Sequence, residues 1–154
     1  MVALRLLRFS SIMSTALAMT AAVAHLMELP AKRRYEPTLY VRLHRTLYWN
    51  VGRIAGVAEA VAVLTTGALA QWTGRRNPES FTSTAVAAGC LTAAHGAFWT
   101  VVRPVNVEMV KWPLNAIPGE FTTARDRWEY GHAVRACLLM GALAALVWSS
   151  VDES

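Results

Sequence analysis

The residues of this 154-residue chain that could do chemistry are ionisable side chains set inside long apolar stretches. His25 and Glu28 stand three apart, Glu129 and His132 stand three apart, and Glu59 and His95 each stand alone among Ala, Val, Leu and Gly. Residues three apart share a helix face, and ionisable groups in apolar segments usually turn toward partners inside a bundle because lipid penalises them. Imidazole and carboxylate together suit iron, copper, manganese or zinc, of which the first three can activate oxygen. Four-helix carboxylate proteins hold two metal ions with a Glu-x-x-His on each of two helices and a Glu on each of the others. Here Glu129 and His132 form one such motif, His25 and Glu28 form it reversed, and Glu59 and His95 are single, so the chain is a relative of that pattern and not a match. The metal-ligand candidates are therefore His25, Glu28, Glu59, His95, Glu129 and His132. A haem on His25, His95 or His132, metal-free acid/base work with Glu59 as base, and a mutually satisfied polar network stay open beside the metal.

These residues need elements to position them. Hydrophobic residues make up 55% of the chain and charged ones only 16%, against about 25% charged in an ordinary soluble domain. The apolar residues gather into four blocks, 9–29, 51–72, 81–102 and 131–148. Each has about the 20 residues a helix needs to cross hydrocarbon, where every backbone group must be satisfied within the segment. The expected fold is all-α: one integral membrane domain over 1–154, a bundle of four transmembrane helices. Gly52, Gly56, Gly67, Gly89 and Gly141 are expected to let helices approach closely, and the six tryptophans to form an interfacial belt. At 1.5 Å per residue, His25, Glu59 and His95 lie roughly 6–12 Å inside span ends that share one side, the side from which Glu129 and His132 enter.

Arg5 and Arg8 before an apolar run ending in small residues resemble a signal peptide, but the run continues through Leu29 and is read as the first span. The connection between spans one and two is expected to be a basic loop of about 20 residues carrying Lys32, Arg33, Arg34, Arg42, Arg45 and an exposed His44. That basic content puts the first and third connections on the cytoplasmic side. From Arg103 to Tyr130, Pro104, Pro113 and Pro118 are expected to interrupt any helix and leave an irregular lid between spans three and four. Arg127 and Arg135 could there hold a carboxylate or an anionic group. Cys90 and Cys137 have no C-x-x-C spacing and are read as buried apolar packing. The net charge of +5 belongs to membrane flanks, and no basic–aromatic interleaving points to nucleic acid.

Glu28-Leu29-Pro30, Pro104-Val105-Asn106, and Arg127-Trp128-Glu129 followed by Gly131-His132 and Arg135 resemble the small four-helix membrane family that includes the fungal anthrone oxygenases. The likeness covers most of the chain and is most specific from Asn106 to Arg135. It implies oxygenation of an electron-rich hydrophobic aromatic, as of an anthrone to an anthraquinone, and it carries Asn106, Trp128, His132 and Arg135 over as site positions.

The expected function is thus a membrane-embedded oxygenase or oxidoreductase acting on a small hydrophobic substrate. Glu59, His132, Asn106 and Arg135 are the catalytic candidates, Trp128 and Arg127 line a cofactor or substrate site, and a transition metal, less readily a haem, or no cofactor serves the reaction. The expected partners are the lipid bilayer of a bacterial plasma membrane and either further copies of the chain or a larger membrane complex. The alternative is a non-catalytic accessory subunit whose buried His/Glu network fixes packing.

Overall fold

A computed structural model describes residues 2–151 and is all-helical among them, with four helices long and apolar enough to cross a membrane. They are α1 (Val2–Lys32), α2 (Pro37–Arg76), α3 (Ser80–Met109) and α4 (Phe121–Val151). Short connections make sequence neighbours antiparallel, and the ring closes as α1 packs on α2 and α4 while α3 packs on the same two helices. Large apolar residues face outward in stripes, such as Leu6, Phe9, Met13 and Leu17 on α1 and Ile54, Val57, Val61 and Leu64 on α2. In water that would be an oversized apolar surface; against acyl chains it is the appropriate one.

The bundle has two differently built halves. In one, Ala22, Ala62, Ala87, Ala94, Ala136 and Ala142 interleave with Leu69, Leu91, Leu139 and Leu146 along the axis. Alanine, more than glycine, supplies the small contact surface. Gly52, Gly56, Gly67 and Gly89 have open space where a Cβ would sit, and only Gly141, near the Cys90 sulfur, touches a neighbour. The helix approaches that need glycine are at Gly131, whose Cβ would lie 2.8 Å from a Val102 methyl, and at Gly74, whose Cβ would lie 3.0 Å from the Phe81 ring. Cys137 is exposed, so the buried-packing expectation fails for it, while Cys90 is partly buried.

The other half is aromatic and polar. Tyr40, Val41, Tyr48, Met109, Trp112, Phe121 and Trp128 form its core. Here the helices run beyond the apolar blocks. α1 continues to Lys32 with Pro30 inside it, and α2 starts at Pro37, so the expected 20-residue basic loop is only residues 33–36. Arg42, His44 and Arg45 are helical, and His44 is 1% exposed, not a loop residue. Likewise α3 continues past Pro104 to Met109, so the lid shrinks to residues 110–120. The lid caps the aromatic core through Trp112, Leu114 and Ile117. It is tied down where Arg45 donates to the Trp112 carbonyl and Thr38 to that of Leu114. Trp112 and Trp128 are buried and so fall outside the expected interfacial belt, while Trp49, Trp72, Trp99 and Trp148 are exposed.

Two helices carry a π-turn, His44–Tyr48 in α2 and Phe98–Val102 in α3. The second absorbs Pro104. Proline lacks the N–H that would bond the Thr100 carbonyl four residues back, and the Arg127 guanidinium donates to that carbonyl instead, at 3.3 Å. Both turns lie at the level of the polar residues, a common location for π-bulges.

Candidate functional site

A cavity of about 610 Å³ opens in the polar half, lined among others by His25, Glu59, His95, Asn106, Trp128, His132 and Arg135. These are seven of the ten residues singled out from the sequence. The structure therefore brings together contributions from all four helices at one end of the bundle. Glu28, Arg127 and Glu129 do not line the cavity. Arg127 is exposed and caps Thr100, so the expected role at a cofactor gives way to repair of the helix at Pro104.

The inner wall is a chain of hydrogen bonds. Arg135 donates one guanidinium nitrogen to Glu59 Oε2 and the other to His132 Nδ1, the latter at 3.3 Å. Glu59 Oε1 meets His95 Nδ1 at 3.2 Å, and the Trp99 indole N–H donates to His95 Nε2 at 2.9 Å. Arginine and the indole can only donate, and this fixes the tautomers. His95 Nε2 is an acceptor, so its proton sits on Nδ1 and is given to Glu59. His132 Nδ1 is an acceptor, so its proton sits on Nε2. Glu59 is 1% exposed and balanced by Arg135, as a buried carboxylate must be.

A second network lies behind Trp128. Lys32, 0% exposed, donates to Glu129 Oε2 at 2.8 Å, and the Tyr40 hydroxyl donates to Glu129 Oε1 at 2.7 Å. Lys32 also reaches His25 Nδ1 at 3.4 Å, so His25 too carries its proton on Nε2. The ammonium sits 5.1 Å from the Trp128 ring centroid and 5.5 Å from that of Tyr48, within cation–π range. Glu28, the half-buried member of its motif, accepts from Tyr48 at 3.1 Å. Trp128 joins the two networks. Its indole N–H donates to Asn106 Oδ1 at 2.6 Å, and its ring abuts His25 and His132 at 4.7 and 4.3 Å between centroids.

The sequence reading missed Lys32, Tyr40, His44 and Tyr48. Each had a periodic signal: Lys32 follows Glu28 by four and His25 by seven, and Tyr40, His44 and Tyr48 recur every four residues, one helix face in each case. Reading 30–50 as loop hid both stripes.

The six candidate metal ligands do not fit a metal ion. Among the described residues no three His, Cys, Asp or Glu side chains gather as a ligand set would require. The two buried carboxylates are already neutralised, Glu59 by Arg135 and Glu129 by Lys32. A divalent cation at either would meet a resident positive charge within bonding distance of the same carboxylate. The three candidate rings are engaged as well: His25 and His132 accept at Nδ1 from those same cations, and His95 donates to Glu59 and accepts from Trp99. What the arrangement offers a guest is imidazole N–H groups, one carboxylate-supported imidazole and an amide, around a wall of small and aromatic residues.

Comparison of the chain with protein-family models, with curated proteins and with solved structures gives no match.

Proposed function

We propose that the chain is a membrane oxygenase that converts a small, apolar aromatic substrate with an acidic C–H beside an oxygen function, through proton removal and anion stabilisation. The observation that carries this reading is the cavity at which neutral imidazoles face a guest while each buried carboxylate is held by its own internal cation. It agrees with the resemblance to the anthrone oxygenases, whose substrates need only lose such a proton to become electron-rich enough for oxygen.

His95 is the base in this scheme. Glu59 accepts from its Nδ1 and stabilises the imidazolium that forms when Nε2 takes the proton, once the Trp99 N–H has swung away. Negative charge then develops on the substrate oxygen. The Nε2–H groups of His25 and His132, backed at Nδ1 by Lys32 and Arg135, are the donors that receive it. Asn106 fixes Trp128, which forms the floor between the two rings. The substrate carbanion adds oxygen, takes the proton back from His95 as a hydroperoxide, and loses water to leave a carbonyl. A methylene and O2 thus become a carbonyl and H2O, with no outside reductant.

The test is oxygen uptake by purified protein in mild detergent with anthrone as probe, against the protein-free rate. His95→Gln and Glu59→Gln should each lower the rate by about 100-fold or more with helix content unchanged, and a chelator should leave the wild type unaffected. Iron, copper or manganese in stoichiometric amount, lost together with the rate in His132→Ala, would sink the metal-free scheme. The buried Lys32–Glu129–Tyr40 network favours one other reading, an accessory subunit in which such groups specify packing. That reading predicts no uptake above background and reduced abundance, in place of lost rate, in the His95 and His132 variants.

A further inference from the structure

The mouth of the cavity is built from a repeated element. Trp49 and Arg53 stand four apart on α2, Trp99 and Arg103 stand four apart on the antiparallel α3, and all four line the cavity. All four are exposed, so the cavity opens sideways between α2 and α3 at the level of the interfacial tryptophans. The Arg103 guanidinium is held over the Trp99 ring, 4.9 Å from its centroid.

Charge at this mouth is out of balance. The cavity is lined by three arginines and one glutamate. Glu59 is consumed by Arg135, and neither Arg53 nor Arg103 has a carboxylate partner among the described residues. Two guanidinium groups thus face the opening of an otherwise apolar and aromatic cavity, and guanidinium is the side chain best shaped for carboxylate or phosphate oxygens. Behind the mouth, Gly52 and Gly56 leave open space where side chains would stand.

We infer that the cavity takes an anionic amphiphile: an aromatic body that passes between α2 and α3 from the membrane interface, with one carboxylate-like group held at the mouth by Arg53 and Arg103. This rests on the reading of the cavity as the substrate site but not on the oxygen chemistry. Trp49 and Trp99 flank the aromatic body, and the anionic group stays at headgroup level. The orientation is thereby fixed, with the far end of the ring system toward His95 and His132.

Binding of 2-naphthoate and of the neutral 2-naphthalenemethanol, measured by calorimetry with the protein in phosphatidylcholine nanodiscs, tests the inference apart from any turnover. The naphthoate should bind the wild type about tenfold or more tighter than the alcohol, a typical discrimination by charge-assisted hydrogen bonds. Arg53→Gln/Arg103→Gln should erase the difference, and the charge-retaining Arg53→Lys/Arg103→Lys should keep most of it. Added salt should weaken the naphthoate alone, which needs no variant at all. Equal affinities for the two probes in the wild type would overturn the inference and leave the cavity reading intact. Loss of naphthoate binding in discs containing phosphatidylglycerol would assign the arginines to lipid phosphate and overturn it as well. Failure of both probes to bind, or binding that Gly56→Phe leaves unchanged, would overturn the cavity reading itself.

Discussion

Replacing Lys32 by methionine removes one charge of a pair whose members are 0% and 7% exposed. Surface ion pairs contribute little, but removing one partner of a buried pair leaves an uncompensated charge and costs about 3–5 kcal/mol. Glu129 would keep the Tyr40 hydroxyl at 2.7 Å, which places Lys32→Met at the lower end, about 3 kcal/mol. Glu129→Gln leaves the ammonium with His25 Nδ1 and the faces of Trp128 and Tyr48, an incomplete replacement that should cost about 2–3 kcal/mol. In the double variant neither charge remains, so the cost should fall well short of the sum, with a coupling of about 3 kcal/mol. For a chain of this size 1 kcal/mol moves the melting temperature by about 2–4 °C. The assay is thermal denaturation in one mild detergent: Lys32→Met should melt about 6–12 °C below the wild type, and the double variant no lower than either single. Additive losses, or a Lys32→Met protein that melts with the wild type, would refute the argument that the pair is buried and mutually dependent.

Two other outcomes follow from local packing. Gly131→Ala should destabilise by about 1–3 kcal/mol, because its methyl would enter 2.8 Å from a Val102 methyl at the α3 π-turn; Gly52→Ala, with open space around it, should match the wild type or exceed it slightly. Arg127→Gln should cost no more than about 1 kcal/mol and leave anthrone uptake near wild type, since its guanidinium caps the Thr100 carbonyl and stands outside the cavity. A large loss of rate in Arg127→Gln with stability unchanged would return that residue to the site.

The sequence by itself determined that the chain is all-α with four spans, because hydrocarbon admits no unsatisfied backbone and the length of each apolar block is set by bilayer thickness. It also determined which end would be polar. Helices that alternate in direction bring His25, Glu59, His95 and His132 to a common level by residue counting alone. It could not determine helix length, because an apolar block reports where lipid is and a helix can continue wherever protein covers it. That is why α2 runs 40 residues from Pro37 and why His44, amid arginines, is buried. Nor could it determine the partners. Six ligand-type residues at one level left a metal site, acid/base chemistry and a polar network all open, and helix rotation then gave Glu59 to Arg135 and Glu129 to Lys32. Rotation follows from how the alanine and leucine ridges of the other half interlock, a property of four helices together that no single segment encodes.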